Sequence, residues 1–289
     1  MTFDDIVRYP HRIICLTEET TETLYLLGEE DRIVGVSGYT VRPPQARQKP
    51  KVSAFITAKF DKIIDLQPDL VFAFSDLQAG IAAELIKRGV NVITFNQRSV
   101  VEILQMMLTI GRIVGAETRA EQLVQRMKAG LEAIVESSRL FPSRPRVFFE
   151  EWFDPLISGI RWVEELIEIA GGIPIMPELR FRKNAPERIV SAADVAARDP
   201  EVVIASWCGR LVQKKVIRGR ANWAQVSAVR SGHIYEIKST YILQPGPAAL
   251  TEGVRQLHAI LARVAGVTVD PQLAPAERLD RDLSTAPAV

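Results

Sequence analysis

From residue 100 to residue 140 the chain is almost continuously helix-forming, interrupted at Gly111 and Gly115 and stopped by Pro142 and Pro145. Residues 117–140 are amphipathic, and a helix of about twenty-four residues would reach about 36 Å at 1.5 Å rise per residue. A crossover inside one sheet needs no such reach, so the run predicts a rigid rod with a separate lobe on either side. The 289 residues suffice for two lobes of ordinary domain size.

Before the rod, apolar strand patterns alternate with helical ones. Strands are expected at 12–16, 32–37, 51–53, 68–74 and 90–95, with helices at 20–27, 58–66 and 81–88 and a polar, proline-rich loop at 42–50. Such alternation marks a parallel sheet covered by helices. After the rod the pattern starts again: 146–149 and its helix echo 12–16, residues 193–204 echo 62–72, and 233–237 echo 91–95. The expected fold class is therefore α/β: two similar lobes, each a mostly parallel sheet with covering helices, joined by one long helix, with a ligand cleft between the lobes. Its parts are an N-terminal lobe (1–113), a connecting helix (114–141), a C-terminal lobe (142–265) and a Pro- and Ala-rich tail (266–289), loosely docked or frayed.

The stretch 147–172 reads as a pocket wall. A strand at 147–149 runs into Glu150, Glu151, Trp152, Phe153 and Asp154, then a turn at Pro155 and a helix ending in Gly171 and Gly172. Open α/β sheets bind ligands at the carboxyl ends of their strands. The aromatics at or just past such ends are Tyr39, Phe74, Phe95, Trp152, Phe153, Trp207 and Tyr241. Asp76, Asn96, Asp154 and Gln244 are the matching polar candidates, Cys208 is a pocket-lining thiol, and Trp162 inside its helix is assigned to the core.

A formal net charge of +1 provides no basic field for a nucleic-acid backbone. No run approaches the roughly 18 apolar residues of a bilayer span. The start, MTFDDIVRYPHR, has neither the basic opening nor the apolar stretch of a secretory signal. With Cys15 and Cys208 as the two cysteines, a reducing, cytoplasmic setting is expected, or a periplasmic one if a leader has been removed.

Four stretches carry a resemblance: RIICLTEETTETLYLLGEEDRIVGVSGYTVRPPQA (12–46), KIIDLQPDLVFAF (62–74), EEWFDPLISGIRWVEELIEIAGG (150–172) and ILQPGP (242–247). Over residues 12–265 the chain resembles the class III periplasmic-binding-protein fold, and within it the cobalamin-binding group, in a cytosolic branch without a signal peptide. The resemblance implies a receptor for cobalamin, haem, a ferric siderophore or a bare metal ion. By position Tyr39 matches an aromatic that such relatives set against the corrin, and Phe74 replaces a frequent Trp. Importer relatives dock a permease through one glutamate per lobe. The corresponding positions fall near Ala79 or Gly80 and at Ala193, so the resemblance makes permease docking doubtful.

The residues narrow the ligand list. His11, His233 and His258 lie in three different parts of the chain, which argues against a His-built metal site. Arg180 and Arg182 keep a siderophore reading open. Cys208 or Tyr241 as an axial ligand keeps haem open. An enzyme using Cys208 with Glu150, Glu151 and Asp154 is the rival class, but no Ser-His-Asp or Cys-His arrangement and no Gly-rich phosphate loop accompanies them. Flat apolar walls with a few hydrogen bonders suit a corrinoid. The expectation is thus non-catalytic binding of a cobalamin-like corrinoid or related metal chelate, with no intrinsic cofactor.

Overall fold

Ile13–Cys15 (β1), wholly buried, begins a sheet of five strands with Ile33–Ser37 (β2), Lys51–Ser53 (β3), Leu70–Phe74 (β4) and Val92–Phe95 (β5). All neighbours are parallel and the order is β3-β2-β1-β4-β5. The chain steps outward from β1 to β3 and then returns to place β4 beside β1, so the strand order reverses between β1 and β4. Helices Glu18–Leu26 (α1), Phe60–Asp65 (α2), Ala79–Lys87 (α3) and Val100–Ile113 (α4) follow strands β1, β3, β4 and β5. Ile14, Leu16, Val52, Ile63, Val71 and Leu85 form one core under them. The alternating pattern expected for this half is what folds.

The computed structural model describes residues 9–276, and these divide into two compact units. One runs to Lys128 and includes Gln244–Pro247; the other comprises Ala129–Leu243 and the residues from Ala248 onward. The division falls inside the long helix Glu117–Ser138 (α5), which buries one stripe at Ala120, Leu123, Val124, Met127, Leu131 and Ile134. The interruption expected at Gly111 does not occur: Gly111 lies inside α4, and the break between α4 and α5 is at Val114 to Ala116, where Gly115 takes φ +71°.

The second sheet pairs Arg146–Phe153 (β6) with Val202–Ala205 (β9) and β9 with Ile234–Glu236 (β10), all parallel. Ile173–Pro174 (β8) adds a short parallel pairing at the start of β6. Leu156–Ser158 (β7) pairs antiparallel with its end. This corrects the expected strand at 147–149. Glu150, Glu151, Trp152 and Phe153 are not a loop beyond the strand but its second half, folded back in a hairpin through Asp154 and Pro155. Covering helices include Arg161–Ile169 (α6), Ala192–Ala197 (α7), Lys214–Arg218 (α8), Ser227–Arg230 (α9), Ser239–Ile242 (α10) and Val254–Val264 (α11). As expected, Trp162 is core, its indole N–H donating to the Ile242 carbonyl. Of the expected tail, residues 266–276 are described, and the Ala276 N–H donates to Glu252 at 2.9 Å; the rest lies outside the described residues. No helix among the described residues is long and apolar enough to cross a membrane.

Candidate functional site

In the unit from Ala129 onward the candidate residues gather at the β6–β7 hairpin. Pairing of Trp152 with Ile157 and Phe153 with Leu156 holds both aromatics at the carboxyl end of β6. The rings of Trp152 and Phe153 are 5.2 Å apart, and Phe153 lies 4.5 Å from Trp207, which follows β9. Such tilted contacts exceed simple area burial in strength. Trp152 and Phe153 are half-buried, whereas Trp207 is 3% exposed. The three rings make a platform whose floor is Trp207.

That floor is fixed from below. The Trp207 indole N–H donates to Glu150 Oε1 at 3.0 Å, and the Arg220 guanidinium donates to both Glu150 oxygens at 2.6 and 2.8 Å. Arg220 also lies over the Trp223 ring, 4.6 Å from its centroid. Glu150 is fully buried, so each of these donors replaces water that a carboxylate would otherwise need. Glu151 accepts from Arg188 at 2.6 and 3.0 Å, and Arg188, 1% exposed, also donates to the Ser158 carbonyl. Within the acid-and-aromatic run Glu150 is wholly buried, whereas Glu151, Trp152 and Phe153 are half-buried, and both glutamates are held by arginines.

Beyond Trp207 the chain turns through Cys208 and Gly209 (φ +71°), both exposed, into Arg210 and Leu211. Arg210 stacks on Phe153, 5.5 Å from the ring centroid. On α6, Glu164 is buried beneath Gly159, and burial pushes its carboxyl up to about 8 against the pull of Arg180 and Arg188. Arg180 itself pairs with Glu168 at 2.5 Å, and Arg182 is exposed. Asp154 is exposed at the hairpin turn, and its carbonyl accepts from the Trp152 indole at 2.9 Å.

In the other unit the carboxyl edge is organised around the reversal between β1 and β4. Phe74 ends β4 almost fully buried; Arg98 covers its ring at 5.0 Å and pairs with exposed Asp76 at 3.2 Å. Gln78 accepts from the Phe74 N–H and donates to the Phe55 carbonyl, tying the β3 and β4 loops together. Tyr39 stands 55% exposed after β2. Phe95 is half-buried against Phe72 at 5.6 Å, and Asn96 is exposed. At the start of α1, Glu18 and Glu19 are buried, which pushes their carboxyls up to about 7 and about 8. Thr17 donates to Glu19 at 2.6 Å, and the backbone of Gly246 packs directly against Glu19.

The structure therefore brings Trp152, Phe153 and Trp207 together, with Cys208 beside them, and gathers Phe74 and Asp76 under Arg98. Phe74, Trp207 and Tyr241 are buried, and Gln244 is half-buried, so the exposed aromatic surface at the strand ends comes from Tyr39, Phe95, Trp152 and Phe153. Sequence reasoning passed over Arg98, Arg188, Arg210 and Arg220. The signal for two of them was present: residues 202–235 contain six Lys and Arg and no Asp or Glu. The histidines lie apart: His258 is buried, bonded to the Ala170 carbonyl and Ser137, while His11 is exposed and His233 half-buried. No group of three or more His, Cys, Asp or Glu among the described residues is placed to hold a metal ion.

A family model described as "Periplasmic binding protein" matches residues 13–241. An uncharacterized ABC transporter substrate-binding lipoprotein of Bacillus subtilis (strain 168) is 28% identical over 272 residues, covering 87% of this chain and 80% of its own length. A vitamin B12-binding protein of Vibrio parahaemolyticus is 25% identical over 246 residues, covering 83% of this chain and 85% of its own. Among solved structures, the periplasmic vitamin B12 binding protein BtuF of Vibrio cholerae superposes with TM-score 0.72 at 23% identity, over 91% of this chain and 100% of that one. The periplasmic heme-binding protein RhuT from Roseiflexus sp. RS-1 gives 0.77 at 21% identity, over 88% and 99%. Both share the fold. Being described as a lipoprotein or as periplasmic, these proteins do not bear out the expected cytosolic branch.

Proposed function

Because the chain belongs to the Periplasmic binding protein family, we propose that it is a non-catalytic substrate-binding protein whose substrate is a cobalamin-like corrinoid. The observation that carries this reading is the platform of Trp152, Phe153 and Trp207 at the carboxyl edge of β6 and β9. Two half-buried rings at a strand end, packed at tilted angles over the buried Trp207, offer apolar surface to a macrocycle. The carboxylates that an enzyme would need there are occupied: Glu150 by Arg220 and Trp207, Glu151 by Arg188. Relatives in sequence described as cobalamin-binding and vitamin B12-binding support the same ligand class.

Haem is the second reading, favoured by the exposed Cys208 thiol beside Trp207, a residue type that serves as an axial iron ligand. Titration of the purified protein with cobalamin, cobinamide, haemin and a ferric siderophore, followed by tryptophan quenching and by visible absorption, separates the readings. A corrinoid response with Trp152→Ala weakened about tenfold, or about 1.4 kcal/mol, is the expected result. If Trp152→Ala leaves the affinity for every responding ligand unchanged, the platform is not the binding surface. A Soret band that shifts on Cys208→Ser would establish haem instead.

A further inference from the structure

The platform carries one cation, Arg210, that forms no ion pair with a carboxylate among the described residues. Arg210 is exposed, follows the buried Trp207 by three residues, and is held by a backbone bond from its N–H to the Trp207 carbonyl at 3.1 Å. Its guanidinium lies over Phe153, 5.5 Å from the ring centroid. The neighbouring carboxylates are committed elsewhere. Glu150 takes Arg220, Glu151 takes Arg188, and Glu236 accepts from the Val212 N–H at 3.1 Å. Asp154 at the hairpin turn forms no ion pair with it among the described residues. Lys215 and Arg218 on α8 are also exposed, and no acid occurs in residues 202–235. A planar cation stacked on an aromatic ring keeps its N–H edge pointing outward, in the orientation that suits a two-oxygen anion.

Resting on the corrinoid reading, we infer that Arg210 is the contact for an anionic oxygen group of the ligand seated on Phe153 and Trp152, so that the preferred substrate is an anionic member of its class. The shared chemistry is a phosphodiester or a carboxylate. Cobalamin carries a phosphodiester in its nucleotide loop and cobinamide lacks it; haemin carries two carboxylates and its dimethyl ester none. Charge-assisted bonds to such groups are about twice as strong as neutral ones and weaken with salt.

The test titrates wild type, Arg210→Gln and Arg210→Lys with these four probes at low and high salt. Circular dichroism and thermal melting serve as fold controls, which an exposed residue should leave unchanged. The expected result is a loss of about tenfold in cobalamin affinity for Arg210→Gln with cobinamide unchanged, a flattened salt dependence, and Arg210→Lys in between. Should haemin respond instead, haemin weakens and its ester does not. Equal weakening of both members of a pair would make Arg210 a support for Phe153, and no weakening of either would make it a solvated side chain; each overturns the inference while leaving the proposed function standing. A wild-type protein that responds to no macrocycle overturns both.

Discussion

Arg220 grips both carboxylate oxygens of Glu150, at 2.6 and 2.8 Å, across seventy residues of sequence. Glu150 is wholly buried and Arg220 nearly so, and the same carboxylate orients the Trp207 indole. Removing one partner of such a pair strands a charge in the interior, which costs about 3–5 kcal/mol. Arg220→Ala is therefore expected to lower the denaturant midpoint strongly and to alter Trp207 fluorescence. Replacing both partners, as Glu150→Gln with Arg220→Met, should recover most of that loss. A double variant no more stable than the single one would refute the account of stranded charge.

Stability should fall as the solution is made alkaline. Burial raises the carboxyls of Glu18 to about 7 and of Glu19 and Glu164 to about 8. The folded protein thus favours their neutral forms. That contribution is complete below about pH 4.5, the ordinary value for Glu, and is lost as pH climbs toward 8. Glu178, held low by its bond from Arg198, and Asp199, held low by Ser227, act in the opposite sense at lower pH. Melting should occur at a higher temperature at pH 5 than at pH 8.5, and Glu19→Gln should shrink the difference. An unchanged pH slope in Glu19→Gln would show that Glu19 does not carry it.

Gly246 sits so close to α1 that a Cβ there would fall 2.4 Å from Glu19 Cβ and 2.9 Å from its Cα. The second contact is backbone and cannot swing aside. Gly246→Ala should cost about 1–3 kcal/mol by overpacking, read as a lower unfolding midpoint. Gly209→Ala has open space around it, but its φ of +71° makes it strained for a different reason. Comparing the two separates crowding from backbone conformation.

The strands of the first sheet were legible because β1 and β4 are nearly pure apolar runs, each followed by a helical pattern. The second half of β6 was not. Glu150 and Glu151 side by side resemble a solvated loop, and the cations that pair with them are Arg220 and Arg188, 70 and 37 residues away. No local pattern encodes those pairings. Trp152, Phe153 and Trp207 were legible as a set, since each lies near a strand end, but the burial of Trp207 depends on the same distant arginine. Arg210 was passed over because a basic run reads as a solvated face; its meaning comes from the ring beneath it.

Gly111 was expected to interrupt the helical run and instead lies within it, for a reason that yields a further prediction. A Cβ at Gly111 would come 2.2 Å from the Cβ of Ala120, so the close approach of α4 and α5 requires a residue without a side chain. In an exposed helix Gly→Ala stabilises by about 1 kcal/mol, and at Gly130 on α5, where nothing lies within 4 Å, that gain should appear in full. At Gly111 the same change meets an overpacking cost of about 1–3 kcal/mol, which cancels or exceeds it. Gly130→Ala should raise the unfolding midpoint and Gly111→Ala lower it. Enlarging Gly111 while Ala120 becomes Gly should restore the midpoint, because the two helices can then keep their separation. If Gly111→Ala proves as stabilising as Gly130→Ala, the contact with Ala120 does not set the spacing of α4 and α5.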